Sequence, residues 1–246
     1  MVTVCILQGY GINADQELID AFELAGANAV GVHVADLIAE PGVLGRYRAL
    51  AFPGGFSFGD HLGSGRVLAA LLNARIRREL NAFVADGGLV LGICNGFQVL
   101  VKMGLLPGDS PDQSVSLVHN TNGRFIDAWV GLMRNPRNRS PWLGAIERAD
   151  MPIRHGEGRF VCGTDVRRTL LDSNRVAFTY QDPNPNGSLD SIAGITDGTG
   201  RILGMMPHPE AYRSPLNHPA WHRDSATEPT GIAVFRNAVD FAERSQ

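Results

Sequence analysis

Cysteine is scarce in this chain, and so is any concentration of charge of one sign. Cys5, Cys94 and Cys162 form an odd, sparse set with no CxxC pair. That supports neither a disulfide framework nor a cysteine-rich zinc site, and reduced thiols are expected. Lys and Arg number 22 against 25 Asp and Glu, a formal net charge of -3. With the basic residues scattered rather than massed, the electrostatic footprint of a nucleic-acid binder is missing. No apolar run approaches the length of a membrane span, and the N-terminal MVTVCILQGYG has no basic leader. A cytoplasmic protein without membrane or nucleic-acid partners is the expectation. His119, His155, His218 and His222 are dispersed without ligand spacing, so no metal site is expected. Internal repeats, low-complexity tracts, interdomain linkers and a GxxxxGKS/T phosphate loop are also absent from the sequence.

Apolar material is plentiful: 44% of 246 residues, enough to bury a sizeable core in one domain spanning residues 1–246. VTVCILQ reads as a strand covered on both faces, and DQELIDAFELAGA puts Leu18, Ile19, Phe22 and Ala25 at helical spacing. The alternation continues with AVGVHVA as a strand, YRALAFPGG as a strand running into a glycine turn, RVLAALLNARIRRELNAFVADGG as a helix and GLVLGI as a strand. Strands alternating with helices predict an α/β fold with a mostly parallel sheet wound by right-handed crossovers, its site at the strand carboxyl ends. The stretch from LLPGDSPDQS through GLMRNPRNRSPWLG has no sustained period, and is expected to form strands and loops of an added layer. DPNPNG and DGTG are turn chemistry between β-rich runs, and GIAVFRNAVDFAERS reads as a last helix.

Cys94 falls where the strand GGLVLGI meets the helical NGFQVLVKMG, inside GICNG. Free cysteine is among the most buried residue types, so a core position is the bland alternative. Against it stands the glycine spacing of a nucleophile elbow, GxSxG with sulfur in place of the hydroxyl, where glycines two residues either side allow close chain approach. Backbone N–H groups and the helix dipole at such a corner favour a thiolate. A nucleophile needs a base. GMMPHPEAY offers His208 with Glu210 two residues on, on the same face of an extended chain, so that Glu210 orients His208. PGGFSFGD, residues 53–60, ends a strand in glycines. The Gly55 and Asn95 amides would together form an oxyanion hole, each donor being worth roughly 3 kcal/mol of barrier in acyl transfer.

Taken together, PGG, GICNGFQ and PHPE resemble the glycine-rich loop, cysteine elbow and late triplet of the class I (triad) glutamine amidotransferases. FPGGFSFGD, LGICNGFQVL, HGEGRF, PNPNGSLDSIAGIT and LGMMPHPE are similar to the glutaminase components of phosphoribosylformylglycinamidine synthases. HPAWHRDS and TGIAVFRNAVDF are similar to the end of the large fused form of that enzyme. The resemblance implies a flavodoxin-like fold with an added β-rich segment in the second half, and hydrolysis of L-glutamine through a Cys94 thioester. It also implies that Gly54, Phe97 and Gln98 contact the substrate, and that Glu157, Gly158 and Arg159 hold its α-amino and α-carboxylate groups. ATP and Mg would reside on a separate synthetase subunit, with no cofactor in this chain; a small third subunit is left open.

The match has departures. LQGYGINAD lacks the family's phenylalanine-proline-glycine triplet, HLGSGR replaces a tyrosine-leucine-arginine run, and residues 111–140 match loosely. Three alternatives stay open: a glutaminase serving another ligase, a free elbow-cysteine amidase or γ-glutamyl hydrolase, and a binding subunit that kept the fold without the chemistry.

Overall fold

In the computed structural model, residues 1–110, 112–222 and 230–245 are described. The tail of HPAWHRDS, residues 223–225, lies outside them. β1 (Thr3–Gln8) is buried along nearly its whole length and pairs in parallel with β2 (Asn28–His33) on one side and β3 (Ala49–Phe52) on the other. β4 (Leu89–Ile93) continues the parallel run beside β3. α1 (Asp15–Leu24) turns Leu18, Ala21 and Phe22 to the core, as its 3.6-residue period requires. α3 (Arg66–Ala85) makes the crossover from β3 to β4, and α4 (Asn95–Lys102) follows β4.

AVGVHVA is not one strand. β2 ends at His33, whose Nδ1 accepts the Ala35 N–H at 3.2 Å and caps a short α2 (Val34–Ala39). The apolar run continues across that cap, which hides it from a reading based on hydrophobicity alone.

The irregular middle departs from the expected added layer. β6 (Ile126–Arg134) and β7 (Arg148–His155) form a long antiparallel hairpin, and β6 joins β9 (Val176–Tyr180) at Leu132 and Tyr180. β10 (Ile192–Thr196) and β11 (Ile202–Met205) complete one nine-stranded sheet in the order β2-β1-β3-β4-β11-β10-β9-β6-β7. Among the described residues only β5 (Val115–Val118) and β8 (Arg159–Cys162) stand apart, as a two-stranded ribbon. Extending the existing sheet satisfies backbone groups without creating a second core. α5 (Thr164–Asp172) is mostly polar and buries Leu170 alone of its residues, so it carries no sustained apolar period by which the sequence would reveal it. The last helix, α6 (Thr230–Arg244), forms where the sequence placed it. Among the described residues no helix is long and apolar enough to cross a membrane.

β11 runs parallel to β4, with Met205 opposite Ile93. Residues more than a hundred positions apart therefore leave adjacent strand ends in the same direction, and the loops after β1, β3, β4 and β11 converge on one edge.

Candidate active site

The chain folds sharply after Ile93. Cys94 has φ 51° and ψ -105°, a left-handed backbone that a β-carbon resists. Its N–H is tied to the Met205 carbonyl at 2.8 Å, anchoring the corner to β11. A Cβ placed on Gly96 would stand 2.0 Å from the Phe52 carbonyl oxygen, so the elbow closes against β3 only with glycine there. Cys94 is 6% exposed at this corner and its Sγ–H donates to the Arg154 carbonyl at 3.6 Å. Cys5 differs: wholly buried within β1, its thiol is pushed up to about 12 by burial, as for a small core hydrophobe.

His208 follows β11 and is fixed by its own N–H, which donates to Pro152 O of β7 at 2.8 Å. The imidazole Nδ1 lies 2.6 Å from Glu210 Oε1 and both side chains are buried. That contact assigns the Nδ1 proton and leaves Nε2, which is buried and bound to no other protein group among the described residues, as the proton acceptor. Burial by itself would lower the basicity of this imidazole. The Glu210 carboxylate and Cys94 outweigh it and raise the ring above the ordinary imidazole value, so that it holds the proton once Cys94 has given it up.

The loop after β3 forms the facing wall. Gly55 has φ 146° and sits opposite Ile12, in a bridge that uses the Phe56 N–H and Gly11 O but leaves the Gly55 amide free. Among the described residues neither the Gly55 nor the Asn95 amide has an acceptor. The Asn95 side chain joins the two walls. Its Oδ1 accepts the Ser57 N–H at 3.2 Å, while its Nδ2 donates to the Asp60 carboxylate at 3.2 Å and to Gln98 Oε1 at 3.0 Å. Asp60 in turn accepts the Gly65 N–H at 3.0 Å, and burial raises its carboxyl above the ordinary value.

Gln98 extends the network to the third wall, donating from Nε2 to Glu157 O at 2.6 Å. Both ends of its amide are thus held by the protein. Phe97, grouped above with the substrate contacts, is fully buried and lies against Gly204. The HGEGRF turn is organised by Asn120, whose Oδ1 accepts the Gly158 N–H at 3.2 Å and meets His155 Nδ1 at 3.1 Å. Glu157 Oε1 is 3.9 Å from His119, and Arg159 is half-buried with an Nε that has no hydrogen-bond partner among the described residues.

The structure thus gathers Cys94, His208, Glu210, Gly54, Gly55 and Asn95 around one corner, with Gln98 and residues 157–159 as an adjoining wall. Sequence reasoning missed Asp60, Asn120, Arg154 and Tyr180. Tyr180 is buried close enough to Cys94 to feel its charge, and burial raises its phenol well above the ordinary value. Asp60 is the last residue of PGGFSFGD. Asn120 and Arg154 meet their partners 35 and 54 residues away, a separation that carries no local pattern.

A family model described as a CobB/CobQ-like glutamine amidotransferase domain matches residues 1–242. The phosphoribosylformylglycinamidine synthase subunit PurQ of Dehalococcoides mccartyi is 41% identical, with 99% of this chain and 98% of that protein aligned. The subunit of the same name from Methanococcus maripaludis is 37% identical over 97% of this chain and 96% of its own. Among solved structures, a chain of PurLQS from Thermotoga maritima superposes with a TM-score of 0.76 at 30% identity, covering 98% of this chain and 99% of that one.

Proposed function

Since the chain belongs to the CobB/CobQ-like glutamine amidotransferase domain family, we propose that it is the glutaminase subunit of a phosphoribosylformylglycinamidine synthase, with Cys94, His208 and Glu210 as its catalytic triad. One observation carries the chemistry: a thiol on a strained corner stands beside an imidazole whose far nitrogen is locked by a buried carboxylate at 2.6 Å. Near-complete alignment with two subunits named PurQ supports the pathway.

Each step uses groups of this chain. His208 Nε2 takes the Cys94 thiol proton, and the thiolate sulfur attacks the side-chain amide carbon of L-glutamine. The carbonyl oxygen becomes an oxyanion that receives the Gly55 and Asn95 N–H groups, which are fixed before the charge develops. The imidazolium then gives its proton to the leaving nitrogen as the C–N bond breaks, releasing ammonia and leaving a glutamyl thioester. Water, deprotonated by His208, cleaves the thioester to glutamate and the free thiol. Gly54 keeps the loop clear of the imidazole, and Glu157, Gly158 and Arg159 form the wall that receives the substrate's charged end. Gln98 acts as the strut between that wall and the elbow.

Ammonia incorporation into an amide requires activation of the acceptor. ATP and Mg belong to a separate synthetase subunit, to which this chain delivers ammonia. Ammonia release from glutamine is the test, measured for this chain alone, with the synthetase, and with synthetase plus a small third subunit. Slow hydrolysis alone and a large rise in the complex are expected, with Cys94→Ala inactive throughout. Full-rate hydrolysis unaffected by the synthetase, or an active Cys94→Ala protein, would refute the assignment.

A further inference from the structure

His208 has a second charged neighbour that the triad does not require. Arg154, on β7, places Nη2 3.4 Å from His208 Nδ1 and donates from the same atom to Glu17 Oε2 on α1 at 3.0 Å. Nδ1 already faces Glu210 Oε1 at 2.6 Å. With its proton directed there, Nδ1 cannot also accept from the guanidinium, and the contact between Arg154 and the ring is one of charge rather than a hydrogen bond. A guanidinium keeps its cation at all relevant pH values, so it opposes the protonated imidazole, and Glu17 partly cancels that opposition.

We propose that the Arg154–Glu17 pair is a positioning and tuning element that sets the basicity of His208, Arg154 holding it down and Glu17 moderating Arg154. The pair rests on the reading of His208 as the base, but it acts on the imidazole whether or not catalysis follows. The groups set around the ring are Glu210 on its own turn, Cys94 at the elbow, and Arg154 and His155 on β7, with Glu17 behind Arg154. α1 also carries Asp20, which is paired with Arg213. His155 is held neutral by burial, leaving Arg154, among the described residues, as the cation in contact with the ring.

The arrangement also gives the site a connection to its surroundings. The Arg154 and Glu17 side chains are each about one-third exposed (35% and 36%), whereas His208 and Glu210 are closed off. Glu17 lies on the helix that follows the 9–14 loop, and that loop pairs with the Gly55 segment. Any group that draws Glu17 away from Arg154 therefore changes the imidazole without touching the triad.

The test is a nitrogen-15 NMR titration of the His208 imidazole, assigned by loss of its resonances in His208→Gln, together with the pH profile of kcat/KM. Arg154→Met keeps the stem and removes the charge, and should raise the His208 midpoint by roughly one pH unit. Glu17→Gln leaves Arg154 uncompensated and should lower it, while Arg154→Lys should stay near the parent. Opposite displacements are the signature, because loss of a merely structural tether between β7 and α1 would move both variants alike. If Arg154→Met fails to fold, the direction in Glu17→Gln alone decides. Unmoved midpoints, displacements of the same sign, or a rise in KM with the midpoint fixed would overturn the proposal. Midpoints that move as stated under an unmoved kcat/KM profile would uphold the coupling and count instead against His208 as the base.

Discussion

Gly54 and His208 touch across the site: a Cβ built on Gly54 would lie 2.9 Å from His208 Cε1. The glycine before the oxyanion loop therefore does more than let the chain turn. It leaves the space that the imidazole ring occupies, so loop and base can approach the same substrate from two sides.

Gly54→Ala should fold, since the clash is with a side chain edge, but it displaces the ring by a fraction of an ångström. Steady-state kinetics should show kcat lowered roughly 10- to 100-fold, with slower labelling of Cys94 by a glutamine analogue and an almost unchanged melting temperature. Unaltered kcat would mean that the ring is not held where the structure places it.

Glu210→Gln removes the carboxylate that holds Nδ1 and raises the imidazole. The variant should lose about 10²-fold or more in kcat, within the usual range for disrupted acid–base catalysis. Its His208 protonation midpoint should fall toward the ordinary imidazole value, read by NMR.

Asp60 and Asn95 make a different prediction, because the Asp60 carboxylate accepts the Asn95 Nδ2 hydrogen bonds and so anchors the side chain that joins the two walls. Asp60→Ala frees Asn95 from one anchor and loosens the joint between the Gly55 loop and the elbow. The loss should fall on kcat rather than KM, and Asp60→Asn, which can still accept one hydrogen bond, should restore part of it. Equal losses in kcat and KM for both variants would point to damaged folding instead.

His155 couples stability to pH. In the fold it is held at about 4 against 6.5 for an ordinary imidazole, chiefly by burial and then by the nearby His208. Below 6.5 the unfolded chain binds a proton that the folded chain refuses. Stability is therefore complete above about pH 6.5 and declines as pH falls toward 4, by up to about 1.4 kcal/mol per pH unit from this group. Urea unfolding of the parent and of His155→Gln at several pH values should show their difference shrinking over that interval. A constant difference would contradict the assignment.

The sequence alone determined the parallel half of the fold and the identities of the reactive groups. Continuous apolar strands such as VTVCILQ, helices of 3.6-residue period and a glycine two places either side of Cys94 are local constraints, each written in neighbouring residues. His208 and Glu210 are likewise two positions apart. The tertiary structure alone decided how the antiparallel strands extend the sheet, why α2 begins at Val34, and which polar groups complete the site. Asp60, Arg154 and Asn120 become functional neighbours only when parallel pairing of β11 with β4, and the β6–β7 hairpin beyond it, carry distant segments to one edge. Pairing between strands depends on backbone groups that every residue shares, so it leaves almost no mark on the sequence that it brings together.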